Sequence, residues 1–353
     1  MKTMLDYIKK EQEVHQSILE KDLFENKLID LNPKAPRNVV IYATGSSANA
    51  AYGAYILMQE VLDVPIYIKE PSLSLHYDPL VDDQTLILAI SQGGHSYATI
   101  EMVKQLVKEN RQVYVLTSDP DSPIAQVGAQ VINLSMGIET MPYVTLGYTV
   151  TILVLWLMAL TLAKKWQRID DIQFAHYLEQ IDRAIRQADM VIKSFDDWYS
   201  QHKQTLLAAK HFVFIGYGAC YGIAREAETK LTETCHIPTH GHELEEYMHG
   251  PYLGLQKNDA LFLLESCGTL KGRMNKLRIF LDRHIDQTYQ ITIGASDRIQ
   301  DLSLQLGNLP ENLAPLVMSI PIHMMSFYLS QMKGFNLHQS FYPEFDEITG
   351  SKV

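Results

Sequence analysis

Apolar residues in this chain come in short blocks, each running into a turn of glycine and other small residues. The first block reads VVIYATGSSAN (39–49), and further ones are TLILAISQGG (85–94) and VYVLTS (113–118). Blocks this short, rich in β-branched residues and closed by turn formers, predict buried strands. Between them, stretches such as Tyr97 to Glu109 carry apolar residues at helical spacing. The pattern then starts again. FVFIGYGACYG (212–222) follows VVIYATGSSAN at an offset of 173, which sets Gly45 over Gly218, Pro65 over Pro238 and Glu70 over Glu243. ALFLLESCGT (260–269) matches TLILAISQGG at an offset of 175, and YQITIG (289–294) matches VYVLTS. The small drift is what loop insertions produce.

Strands and helices that alternate twice over predict an α/β fold: two tandem flavodoxin-like domains, each a parallel five-stranded sheet flanked by helices. The expected boundaries are an N-terminal amphipathic helix over 1–30 and a first domain over 31–165. A helical connection over 166–205 carries apolar Ile172, Phe174, Tyr177, Ile181 and Ile185, and a second domain over 206–353 ends in an extended tail. The stretch VTILVLWLMALTLA (150–163) has 14 residues, short of the roughly 20 that a membrane span needs. It reads as a buried helix, suited to a subunit contact in a homodimer or higher homo-oligomer.

Charge and cysteine content narrow the partners. A net charge of -11 over 353 residues speaks against nucleic acid, which calls for a basic face. An anionic small molecule remains open, because helix N-termini bind phosphate even in acidic proteins. The N-terminus has no signal-peptide core. Three cysteines, Cys220, Cys235 and Cys267, form no CxxC pair and fit a reducing, cytoplasmic setting away from membranes.

In a doubly wound sheet the ligand sits beyond the carboxyl ends of the strands. Those ends carry Ser46, Ser47, Ser91 and Ser96 beside Gly45, Gly93 and Gly94, a composition suited to a phosphate cradle. The alternative is that Ser47 and Ser96 only cap helices. The second half replaces these hydroxyls by Tyr217, Ala219 and Cys220, so the phosphate is expected in the first. Titratable groups gather in the second half instead. Glu226, Lys230 and Glu233 share one helix face, and His236, His240, His242 and His249 follow closely. No HExxH or Cys/His framework accompanies them, so neither a metal nor another cofactor is expected.

These motifs resemble the SIS (sugar isomerase) family, in particular the isomerase half of glucosamine-6-phosphate synthase and the fructosamine-6-phosphate deglycases. The resemblance rests on GSSAN, ISQGGHS, ETMPYVTLGYT, and KLTET followed by EEYMHGP. Glu233 precedes His249 by 16 residues, the family's spacing of catalytic Glu and His. It implies phosphate binding by Ser47, Ser91, Gln92 and Ser96, with Gly93 in place of a serine. It also implies Glu233 as proton-transfer base, His249 as ring-opening acid–base and Lys230 near the sugar hydroxyls. The synthase's glutamine-hydrolysing domain has no counterpart here, nor does its tail lysine, near whose position stands Asp346. The implied chemistry is cleavage of a ketoamine 6-phosphate to aldose 6-phosphate and amine. Amino-sugar phosphate deamination or isomerisation is the alternative, and non-catalytic sensing of a phosphosugar is an alternative of another class.

Overall fold

A computed structural model describes residues 2–21, 23, 24, 35–78 and 81–353. The chain opens on two short helices, α1 (Met4–Ile8) and α2 (Glu11–Leu19). The single helix expected over 1–30 is therefore broken at Lys9-Lys10, and residues 25–30 lie outside the described ones. Then follow β1 (Asn38–Tyr42), α3 (Gly45–Leu62), β2 (Ile66–Lys69), α4 (Pro71–Tyr77), β3 (Thr85–Ile90), α5 (Tyr97–Lys108), β4 (Val113–Thr117) and β5 (Gln130–Asn133). After the helices α6 (Leu146–Lys165), α7 (Asp171–Ile185) and α8 (Ala188–Ala208) the pattern resumes. It runs β6 (Phe212–Gly216), α9 (Cys220–Cys235), β7 (Thr239–Glu243), α10 (Leu244–Met248), β8 (Ala260–Glu265), α11 (Lys271–Leu281), β9 (Gln287–Thr292) and β10 (Leu302–Ser303). Helices α12 (Ala314–Met332) and α13 (Phe345–Thr349) complete the chain.

All pairings within these strands are parallel, in two five-stranded sheets of the same order, β2-β1-β3-β4-β5 and β7-β6-β8-β9-β10. The internal repeat is visible atom by atom. Pro65 and Pro238 each accept from the first buried residue of the neighbouring strand, Val39 N at 2.9 Å and Phe212 N at 3.0 Å. Glu70 and Glu243 each cap the following helix with a side-chain carboxylate. Both pairs are thus kept for the same backbone reasons in both halves.

The chain forms two compact units, and their borders differ from simple halves. One comprises Met1–Gln12, Met141–Thr145 and Gln180–Leu337; the other comprises Glu13–Thr140, Leu146–Glu179 and His338–Val353. The tail, expected with the second domain, belongs with the first sheet. It is not merely extended: α13 is followed by an antiparallel bridge between Lys352 and Ser96.

Helix α6 packs on α3 in its own unit, with every residue from Leu146 to Leu160 buried. Two of its polar side chains find acceptors on backbone carbonyls. Thr151 Oγ1 donates to Gly147 O (2.6 Å), and Trp156 Nε1 donates to Ala54 O (3.3 Å). Among the described residues two helices, Leu146–Lys165 and Glu311–Met332, are long and apolar enough to cross a membrane, but 94% and 89% of their most apolar windows are buried in protein. With 94% of its most apolar window buried within the chain, α6 has little apolar surface left for the subunit contact expected from the sequence.

Candidate functional site

In the first sheet β1 and β3 lie side by side, while the chain leaves β1 toward β2 and β3 toward β4 on opposite flanks. That reversal opens a crevice at the carboxyl ends of β1 and β3. The turn Gly45-Ser46-Ser47 begins α3 on one side, and Ser91–Ser96 leads into α5 on the other. Neither serine suspected of capping does so. Thr44 holds the N-cap position of α3, which puts Ser47 inside the helix, and Ser96 at the N-cap of α5 makes no side-chain cap bond. Ser96 Oγ instead accepts from Thr99 (3.0 Å), and Ser91 Oγ accepts from the Ser96 N–H (3.3 Å).

The second turn is held stiffly. The Gln92 carbonyl accepts from Ser118 Oγ (2.8 Å) and Thr117 Oγ1 (3.1 Å), tying the turn to the end of β4. Gly94 has φ +77°, and a side chain there would meet Ser122 Oγ at 2.0 Å, so only glycine fits. The Gln92 amide packs over Gly147 at the start of α6, where a Cβ would lie 2.1 Å from its Nε2. At the rim, the tail pairs with this turn: Val353 N donates to His95 O (3.1 Å) and Tyr97 N donates to Ser351 O (3.3 Å). Lys352, the tail's lysine, pairs with Asp346 at 3.1 Å, and Ser351 and Lys352 together hold the Asp346 carboxyl below its usual range. The Lys352 backbone thus bridges to Ser96 while its ammonium is held by Asp346.

The equivalent turn after β8 is filled by the protein's own carboxylates. Glu311 accepts from Thr269 N (3.3 Å) and Oγ1 (3.4 Å), and a side chain at Gly268 would collide with it at 1.3 Å. Glu265 accepts from Tyr217 Oη at 2.9 Å. Negative charge therefore occupies the place where the first unit presents hydroxyls and N–H groups.

The carboxylates of α9 form a row. Glu233 pairs with Lys230 at 2.8 Å, and Lys230 lies 3.7 Å from Glu226. Glu226 is fully buried, the Lys230 side chain is 1% exposed, and Glu233 is 39% exposed. Lys230 is therefore a buried counterion of Glu233. Tyr143 joins this cluster: burial first, and then the Glu233 charge, raise its hydroxyl above the usual value of 10.0. Its position inside ETMPYVTLGYT was the available signal, and sequence reasoning did not single it out.

His249 follows α10. Its Nδ1 lies 2.7 Å from Glu245 O. A carbonyl only accepts, so Nδ1 carries a proton, which leaves Nε2 as the nitrogen turned to a substrate. Glu233 and His249 do not meet within one chain. Helix α9 starts at the carboxyl edge of the sheet and its 16 residues run about 24 Å, so Glu233, in its last turn, lies at the opposite edge. β7 then returns parallel to β6 and delivers His249 to the carboxyl edge. The other histidines spread out: His236 ends α9, while His240 and His242 lie on β7. Among the described residues no three His, Cys, Asp or Glu side chains converge as a metal site would require.

One consequence concerns the cradle. Ser91→Ala and Ser47→Ala should each weaken a 6-phosphorylated sugar by about 1–3 kcal/mol, the worth of a hydrogen bond to a charged group. The unphosphorylated sugar should bind poorly and respond little. Calorimetry giving equal affinity for both sugars would remove the cradle.

A family model described as SIS domain matches residues 34–161 and 205–332. Glutamine--fructose-6-phosphate aminotransferase [isomerizing] of Bacteroides thetaiotaomicron is 24% identical over 316 residues, covering 86% of this chain and 50% of that protein. The chain spans about half the length of the curated relatives it matches. Among solved structures, a candidate phosphosugar isomerase of Clostridium difficile 630 superposes with TM-score 0.92 at 22% identity, covering 100% of this chain and 99% of that one. The C-terminal domain of glucosamine-fructose-6-phosphate aminotransferase from Francisella tularensis follows with TM-score 0.87 at 22% identity, covering 96% and 97%.

Proposed function

The chain belongs to the SIS domain family, and on that premise we propose that it is a phosphosugar isomerase-type enzyme that splits a sugar–amine 6-phosphate. The observation that carries the reading is the α9 row, in which a half-exposed carboxylate, Glu233, is held by a buried lysine. A carboxylate so placed suits proton transfer between adjacent sugar carbons. The names of its relatives supply the substrate class, a 6-phosphorylated sugar with an amine at stake, and the serine turns after β1 and β3 supply a place for the phosphate.

The chemistry follows from those groups. In a ketoamine 6-phosphate the amine sits on C1 beside the C2 ketone. Glu233 takes a proton from C1, giving an enaminol, and returns one at C2. The resulting imine is hydrolysed by water to aldose 6-phosphate and free amine. His249, with Nε2 available, opens the sugar ring. Since Glu233 and His249 of one chain lie at opposite edges of the sheet, a site that uses both takes one of them from a second copy. The enzyme is thus a homodimer or larger, placed in the cytoplasm, where its three cysteines stay free.

The deciding experiment is a panel of 6-phosphorylated ketoamines together with glucosamine 6-phosphate, followed for amine release and aldose 6-phosphate. We expect release from a ketoamine. Ammonia from glucosamine 6-phosphate alone would make the protein a deaminase. Tight binding across the panel without turnover would make it a sensor.

A further inference from the structure

The α9 row does not end at Glu226. His323, on α12, is fully buried, with Nε2 3.5 Å from Glu226 Oε1 and Nδ1 4.0 Å from Glu11 Oε1 on α2. Glu11 and Glu226 are themselves fully buried. The order is Glu11, His323, Glu226, Lys230, Glu233, and only the last reaches solvent. Four of the five carry or can carry charge inside the protein: two carboxylates, one ammonium and one imidazole. With a neutral imidazole the buried set holds a net negative charge, which is costly in a low-dielectric interior. With an imidazolium it is balanced, and the signs alternate along the row.

We infer that His323 is a buried imidazolium and a positioning residue for Glu233: by satisfying Glu226 it leaves the Lys230 ammonium to hold Glu233. The distances agree with that division. Lys230 sits 2.8 Å from Glu233 and 3.7 Å from Glu226, although both carboxylates are within its reach. Burial opposes a charge on His323, but the Glu11 and Glu226 carboxylates outweigh it and raise the histidine above its usual 6.5. Helix α8, also packed on α12, presents Asp196 and Tyr199 to Tyr328, more than a turn away. The inference deepens the proposed function, since Glu233 is the base in that reading.

The charge state is testable without any substrate. In the full chain labelled with ¹⁵N-histidine, the His323 signal is identified among 13 histidines by its loss in His323→Gln. We expect both ring nitrogens in the imidazolium range at pH 7. Glu11→Gln removes one carboxylate and should shift the ring toward its neutral form. A neutral, tautomeric signal in the native protein overturns the inference. For the positioning role, His323→Gln should lower kcat about 10-fold or more, with KM within about 2-fold, and move the acid limb of the rate profile upward. This follows because Lys230 turns toward the uncompensated Glu226. Adding Glu226→Gln should release Lys230 and recover most of the rate. A merely structural histidine predicts a lower Tm, no shift of the limb and no recovery, and that outcome removes the role. If Glu233 proves dispensable, the proposed function fails while the spectrum still decides the charge.

Discussion

Glu233→Gln lowers turnover about 10²–10⁴-fold, the range supplied by a positioned proton-transfer group, while a 6-phosphorylated sugar alcohol binds nearly as before. Glutamine keeps the shape and removes the base. The fold should tolerate the change, because Glu233 is the one member of its row that reaches solvent. Lys230, Glu226, His323 and Glu11 remain balanced behind it. Rate constants on the releasing substrate, with calorimetry on the alcohol, check the two halves of this statement. Wild-type rates would take Glu233 out of the mechanism. His249→Ala should also lose turnover on cyclic substrate yet keep the acyclic alcohol. The separation of Glu233 and His249 by the length of α9 gives a sharper result. Mixing the two inactive variants should restore about a quarter of native activity, since half the dimers are mixed and each rebuilds one of two sites. No restoration above the separate variants would exclude a site shared between copies.

The second large effect is on stability at acid pH. His15 on α2 is buried, and its Nε2 lies 3.0 Å from Thr149 Oγ1. That hydroxyl already donates to Leu146 O at 3.1 Å, so it accepts from His15, which therefore carries a proton on Nε2. Burial lowers its value from 6.5 to about 3. The folded value lies below the unfolded one, so the unfolded chain binds the extra proton first. Stability is full above about pH 6.5 and falls by roughly 1.4 kcal/mol per pH unit below it, toward roughly 4–5 kcal/mol at pH 3. Urea midpoints at pH 7 and pH 4.5 should show a steeper acid loss in the native protein than in His15→Gln, whose amide can still donate to Thr149. Equal losses would mean that other groups govern acid unfolding. His323 works in the opposite direction. Its value is raised, so its contribution is full below pH 6.5 and is lost as pH climbs through the folded value.

Much of the architecture was legible along the chain because strand burial and turn chemistry are local. VVIYATGSSAN became β1 and the first turn of α3, TLILAISQGG became β3 and its turn, and the offset of 173 fell on paired backbone acceptors and paired caps. The apolar stretch 150–163 was readable as a buried helix for the same reason. Its supposed role at a subunit contact was not, because which faces are covered depends on α3. The seventeen-residue span from Glu233 to His249, counted inclusively, was legible as a motif but misleading as a distance. A helix followed by a parallel strand carries its two ends to opposite edges.

By itself, then, the sequence determined the two parallel sheets, the turns that end their central strands and the residue types placed there, since each depends on neighbours a few positions apart. Tertiary structure decided what those residues face. It put Glu311 into the turn after β8, the Lys352 backbone beside Ser96, and Glu11 and His323 behind Glu226. Nothing in local spacing links positions 11, 226 and 323. They meet because α2, α9 and α12 bring Glu11, Glu226 with Lys230, and His323 together in the interior, where like charges repel strongly and an alternating row is favoured.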